Sequence, residues 1–271
     1  MSNDQCSDRG TIWLAALTHD APLLPGFPPS VRVAHASLGR HAAAYIAVVP
    51  DPDNPFPRAR NGEVGLTEGW ELARAVRQIV DADRNRADKR AIVAVIDVAS
   101  QAYGRTEEAY GIHQALAGAA DAYATARLEG HPVIGLIVGR AMSGAFLAHG
   151  YQANRLIALS DPQVMVHAMG KASAARVTMR TIEELEKLTA GVAPMAYDIE
   201  SYASLGLLWK LLRVEQPDAP TAADLQTVEE TLVAAFEDIR ADASRGLSGR
   251  MNSVNRAASL RVRERLRAQW Q

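Results

Sequence analysis

The sequence predicts an α/β fold built on a parallel sheet, and three observations carry that expectation. Two apolar runs, Ala91 to Val98 and Val133 to Val138, are continuous and rich in Val and Ile, as strands buried on both faces require. Each is followed by a loop of small or polar residues, and each loop by a stretch with helical character. Strand, loop, helix, strand, turn, helix is an alternation that closes only through right-handed crossovers between parallel neighbours.

The elements follow in order. Residues 1 to 10 are polar and read as a loose terminus, and Thr11 to Leu17 as a short capping helix. Pro22, Pro25, Pro28 and Pro29 impose an extended path. His41 to Val49 ends as a β-prone run stopped by Pro50, which predicts a strand over about 44 to 49, and Asp51 to Gly65 reads as a loop. Thr67 as N-cap, Glu68 in the first turn, and Leu72, Val76, Ile79 and Val80 on one face predict a helix over 67 to 83. After the strand 91 to 98, Glu107 and Glu108 open a helix reaching about Leu128, with Ile112, Leu116, Ala119 and Tyr123 along one side. The strand 133 to 138 gives way to a turn at Arg140 to Ala145 and a helix over Ala145 to Tyr151.

Arg155 to Ser160 and Gln163 to Ala168 read as two strands with Asp161-Pro162 as the turn between them. Met169 to Ala172 enters a small-residue helix, and the capping-box pattern Thr181 to Glu184 starts another near 182. Tyr197 to Leu212 suits an interface as well as a core. Leu225, Val228, Leu232, Phe236 and Ile239 trace a helix over about 222 to 241. Arg256 to Gln271 alternates Arg with Leu and Val, the pattern of a solvated helix or of one that meets an acidic partner.

Composition narrows the function. The 271 residues are 48% hydrophobic and 22% charged with net charge -2, enough for a large core and too balanced for a phosphate-neutralising nucleic-acid binder. A single cysteine, Cys6, excludes an internal disulfide framework and fits a reducing cytoplasm. No apolar run reaches membrane-spanning length, and no membrane association is expected. The seven histidines form no short-spaced pair with one another or with Cys, so no metal site is expected. Neither the phosphate-loop nor the dinucleotide-binding glycine pattern occurs.

The chemistry concentrates at the two strand ends. Ser143, Gly144 and Ala145 bring little side-chain bulk to a strand-to-helix turn, where unpaired N–H groups can face a carboxylate or enolate oxygen. That is an oxyanion hole in outline. Ser100, Gln101 and Gly104 follow the preceding strand, and neighbouring loops of a parallel sheet converge on one crevice. His113 and His149 lie on the helices after the two loops, as satisfied helix residues or as an acid or base. Ser143 also stands in Ala-Met-Ser-Gly-Ala, a degenerate nucleophile elbow whose two glycines are replaced by alanine, and the same small residues could serve only close packing of helix on strand.

Four motifs in this order, Ser-Gln-Ala-Tyr-Gly-Arg-Thr-Glu-Glu at 100 to 108, Tyr-Gly-Ile-His-Gln-Ala-Leu at 110 to 116, Gly-Arg-Ala-Met-Ser-Gly-Ala at 139 to 145 and His-Ala-Met-Gly-Lys-Ala at 167 to 172, resemble the carboxyltransferase branch of the crotonase superfamily. More closely, the region from about Trp13 to Trp209 is similar to the gamma subunits of biotin-independent malonate decarboxylases. The resemblance implies a crotonase-like (ClpP/crotonase) fold of repeated ββα units plus C-terminal helices. It implies one domain over 1 to 271, with a core at about 40 to 190 and a helical region at about 195 to 271.

The resemblance further implies decarboxylation of a malonyl thioester on an acyl carrier protein to the acetyl thioester, at a site shared with a homologous beta subunit. The catalytic set would be Ser143, Gly144, Ala145, Ser100 and Gln101, and Gly104, His113, His149, Met169 and Gly170 would bind substrate. No cofactor would be bound by this chain. The substrate would ride on the phosphopantetheine-type group of the carrier, and an acyl-carrier-protein transferase subunit would complete the assembly. Related biotin-dependent enzymes typically show Pro-Gly-Phe and Tyr-Gly-Gly-Ala where this chain has Ala99-Ser100-Gln101 and Met142-Ser143-Gly144-Ala145, a departure that fits a subunit without biotin. Three other readings stand beside this one: an acyl-CoA hydratase or isomerase using Glu107 or Glu108, a serine hydrolase on Ser143, and a non-catalytic scaffold subunit.

Overall fold

The protein is represented by a computed structural model that describes residues 7–244, 246–250 and 253–270. Cys6, most of the expected loose N-terminus and the last residue of the tail lie outside the described residues. The chain runs α1 (Arg9–Thr18), β1 (Val31–Leu38), β2 (His41–Val48), α2 (Leu66–Ala82), β3 (Ala91–Val98), α3 (Arg105–Ala109), α4 (Ile112–Leu128), β4 (Val133–Met142), α5 (Ser143–Ala148), β5 (Arg155–Leu159), β6 (Met165–His167), α6 (Lys171–Val177), α7 (Ile182–Thr189), α8 (Ile199–Ser204), β7 (Lys210–Leu212), α9 (Ala222–Ala241) and α10 (Ala257–Gln269).

Seven strands form one sheet in the order β1-β2-β3-β4-β5-β7, with β6 added on β4 beyond the end of β5. Among the described residues, β1 and β2 pair antiparallel and the other strand pairs are parallel. Both continuous apolar runs are central strands, and all eight residues of β3 are buried. Successive side chains of a strand point to opposite faces. Asp97 accordingly meets the Gly10 N–H of α1, while Ile96 faces Gly150 just after α5. Helices α1 and α9 cover the first face; α2, α4 and α5 cover the second. There α2 and α4 approach so closely that a Cβ on Gly69 would lie 2.8 Å from the Ala115 carbonyl carbon.

Several boundaries differ from the sequence expectation. Arg9 and Gly10 are buried first residues of α1, because Arg9 donates to Val138 O and pairs with Asp161 and Asp218. Strand β1 was hidden in an alternation interrupted by His35 and Ala36, and only its pairing with β2 reveals it. Thr67 is not the N-cap: Gly65 is, and the fully buried Glu68 carboxylate accepts the Gly65 N–H at 2.9 Å along with Ser30 Oγ–H and Asn54 Nδ2–H. The single helix expected over 107 to 128 is broken at Gly111, which takes φ +79°, so Glu107 and Glu108 belong to the separate α3.

The most consequential difference concerns β4. It does not stop at Val138 but continues to Met142, pairing first with β5 through residues 134–137 and then with β6 through residues 140–142. Hence β5 and β6 do not pair as a hairpin across Asp161-Pro162; both lie parallel along one edge of β4. The following helix begins at Ser143 and ends at Ala148, ahead of Gly150 at φ +92°.

Candidate active site

The long β4 delivers its turn beside the loop that leaves β3. That loop is braced from outside the sheet: Val64 N–H donates to Ser100 O at 3.0 Å, and Ala102 N–H to Val64 O at 2.8 Å. Gln101, held between those two bonds, reaches the first turn of α5, where its Oε1 accepts the Gly144 N–H at 2.9 Å. Because the partner is an N–H, the amide oxygen must face it, and the planar group turns its Nε2 hydrogens the other way as donors. The expected convergence of the two loops is therefore a direct bond, with Gln101 seated on the Gly144 donor.

Ser143 sits at the corner with φ +56°, a left-handed conformation that costs a non-glycine residue of order 1 kcal/mol. Its Oγ donates to Ala168 O at 2.6 Å. The pairing of Met142 with His167 brings that carbonyl within reach. The backbone shape is that of a nucleophile elbow, but the hydroxyl hydrogen is directed to a carbonyl, not to a base. This is the specific mark against the hydrolase reading.

Ser143 and Gly144 form one end of an apolar cleft of about 350 Å³, whose walls include Phe146, His167, Pro194, Tyr202 and Leu205. His167 is the imidazole of that wall. It stacks on Tyr197 with centroids 3.9 Å apart, and its Nδ1 lies 2.8 Å from the Met169 carbonyl oxygen and 3.1 Å from the Met169 nitrogen. Burial outweighs neighbouring carbonyls and lowers its pKa, so the ring is neutral at pH 7. Sequence reasoning did not select His167, although the motif 167 to 172 contains it; only the extension of β4 puts it beside Ser143.

Other expected site residues separate. His149 is fully buried: Nδ1 meets the Tyr123 hydroxyl at 3.0 Å and Nε2 the Val95 carbonyl at 3.0 Å. Desolvation pushes its pKa down to about 4, so it is a satisfied core imidazole with no approach to substrate. His113 is exposed on α4. Gly104 is the N-cap of α3, where the Glu107 carboxylate lies against the position a Cβ would take. That carboxylate is buried, whereas Glu108 on the same short helix is exposed. Met169 acts through its backbone on His167, and Gly170 is the open N-cap of α6. Ala145 is fully buried beneath the turn, and Ser100 is half-buried with its carbonyl committed to Val64. Among the described residues, no cluster of three or more His, Cys, Asp or Glu could hold a metal ion, and no helix is long and apolar enough to cross a membrane.

Comparison with known proteins places the chain among characterised relatives. A family model for the malonate decarboxylase gamma subunit matches residues 59–270. The malonyl-S-ACP:biotin-protein carboxyltransferase MADD of Malonomonas rubra is 33% identical over 218 residues, covering 78% of this chain and 74% of that protein. A Pseudomonas malonate decarboxylase hetero-tetramer solved with coenzyme A contains a chain 64% identical, with TM-score 0.93, covering 97% of this chain and 99% of its own. A Pseudomonas MdcD-MdcE hetero-dimer contains one 61% identical, with TM-score 0.90 and coverage of 98% and 100%. The fold is the crotonase type shared by carboxyltransferases.

Proposed function

The chain belongs to the malonate decarboxylase gamma-subunit family, and from that premise we propose that it binds the departing carboxylate of a malonyl thioester at a site shared with a homologous subunit. The observation that carries this is the Gln101–Gly144 bond. Gly144 N–H fixes the Gln101 amide, whose Nε2 hydrogens then serve as preorganised donors to a carboxylate, with the first-turn N–H of Ala145 behind them. Ser100 contributes through its backbone.

In the reaction the bond between the α-carbon and the carboxyl carbon breaks. Its electron pair passes to the thioester as an enolate, CO2 leaves, and a proton added at the α-carbon gives the acetyl thioester. Cleavage is easiest when the carboxylate stands perpendicular to the thioester carbonyl, and holding it there is the work assigned to Gln101. The apolar cleft beyond Ser143 suits nascent CO2, which is uncharged. The enolate oxygen needs a second set of donors, and these are assigned to the homologous beta subunit, as are the thioester and the phosphopantetheine-type arm of the acyl carrier protein. Both Pseudomonas relatives come from hetero-oligomers, which supports that division. A transferase subunit that loads malonyl onto the carrier, and a cytoplasmic location for a chain with one cysteine, belong to the same reading.

The Malonomonas relative is named for transfer to a biotin protein. We assign this chain to direct release of CO2, on the strength of the much higher identity to the Pseudomonas decarboxylase chains and of its Ala-Ser-Gln and Met-Ser-Gly-Ala loops. The test is to assay malonyl-carrier-protein decarboxylation with this chain alone, the homologous subunit alone and the mixture, with and without avidin. Activity confined to the mixture and indifferent to avidin is expected. Full activity from this chain alone overturns the shared site, and avidin sensitivity overturns the biotin-free route.

A further inference from the structure

We infer that the C-terminal helix α10 is a docking site for an acidic face of the acyl carrier protein, an inference that rests on the carrier-bound substrate proposed above. From residue 256 to residue 270 the chain carries Arg256, Arg261, Arg263, Arg265 and Arg267 against one acid, Glu264. None of the residues of α10 is buried. Val262, Leu266 and Trp270, spaced four apart, form one apolar ridge that is 56%, 49% and 87% exposed. Arginines flank that ridge on both sides. A helix held only by its own fold would turn these side chains inward, as α9 does with Val228, Leu232 and Phe236.

An apolar ridge between two rows of guanidinium groups is complementary to an apolar groove rimmed by carboxylates. Position then selects the carrier protein over other acidic proteins. The segment leading into α10 is tied to the end of α8: Ser253 Oγ donates to Ser204 O at 2.7 Å, and Asn255 Nδ2 donates to the same oxygen at 3.2 Å. Tyr202 and Leu205, on either side of Ser204, line the cleft that begins at Ser143. The helix is thus rooted in the wall of the active-site cleft, where a tethered thioester must be delivered.

The experiment compares the assembled enzyme with one carrying R261E, R265E and R267E, and another carrying Leu266→Ser and Trp270→Ser; the exposure of α10 leaves the core untouched. Malonyl-carrier protein and malonyl-coenzyme A are the two substrates, and binding of fluorescent carrier protein and of anionic phosphatidylglycerol vesicles is followed by anisotropy and co-sedimentation. The expected result is a KM for the carrier-bound substrate raised roughly tenfold or more with unchanged kcat, no change with the coenzyme A substrate, and carrier binding that weakens with salt. An unchanged carrier KM overturns the dock. So does an equal loss on both substrates, or vesicle binding abolished by the variants while carrier binding persists. The anisotropy arm does not need turnover: a wild-type enzyme that binds carrier through α10 but decarboxylates neither substrate would refute the proposed function and leave the dock standing.

Discussion

Gln101 and Gly144 lie 43 positions apart in the chain, yet the Oε1 of the first sits 2.9 Å from the amide nitrogen of the second. One hydrogen bond therefore spans the ends of two adjacent parallel strands and sets which way the Gln101 donors point.

Replacing Gln101 by Leu keeps the volume and removes both the bond and the donors. Turnover of the assembled enzyme should fall about 10²–10³-fold, the usual cost of one oxyanion donor, with little change in the melting temperature. Steady-state CO2 release checks it, and a rate above half of wild type excludes Gln101 as the carboxylate ligand.

Gly144 separates backbone access from bulk. A Cβ there would lie 3.4 Å from Gln101 Oε1 and from Leu116 Cδ1, an ordinary contact, so Gly144→Ala should retain most activity. The γ-methyls of Gly144→Val would displace the Gln101 amide and should reduce turnover at least about 10²-fold in a folded protein. Equal rates for the two variants would show that the Gln101 position does not matter.

Ser143 carries strain and a bond at once. Ser143→Gly relieves the left-handed backbone, whereas Ser143→Ala keeps the strain and loses the bond to Ala168 O, at about 1 kcal/mol. Both should keep activity within roughly tenfold, and a fluorophosphonate should leave the enzyme unlabelled. Labelling at Ser143 would restore the nucleophile that its hydrogen bond argues against.

His149 predicts an acid limb of stability. Its folded pKa, near 4, lies below the unfolded value of about 6.5, so the unfolded chain binds the extra proton first. Its contribution is complete above about pH 6.5 and lost as pH falls toward 4, by as much as about 3 kcal/mol. Urea midpoints between pH 7.5 and 4.5 measure the slope, and His149→Phe should flatten it even though it lowers stability at pH 7.5. An unchanged slope would mean that another group carries it.

Much of the fold was legible because burial leaves a signature in composition. Residues 91–98 could only be a central strand, and Ala222–Ala241 advertised its buried face at helical spacing. The site was half legible. Small residues at 143–145 and Gln101 marked two loops that meet, but the bond between them depends on Val64, a residue no local pattern links to either. His167 was invisible for a similar reason. Its placement follows from β4 continuing through Gly139 and Arg140, where apolar periodicity ends although strand pairing does not. His149 was misleading because a neutral imidazole in the core looks, in sequence, like one in a cleft.

Arg9 has a consequence for the order in which a ribosome-made chain can acquire this structure. Its guanidinium, on a side chain only 2% exposed, bonds to Val138 O, Asp161 and Asp218, the last 209 positions away. At 5–20 residues per second, synthesis leaves roughly 10–40 s between the appearance of Arg9 and that of its last partner. Helix α1 thus waits for a partner made after β7, and during that interval the faces of β2, β3 and β4 that it covers stay open to chaperones and to protease.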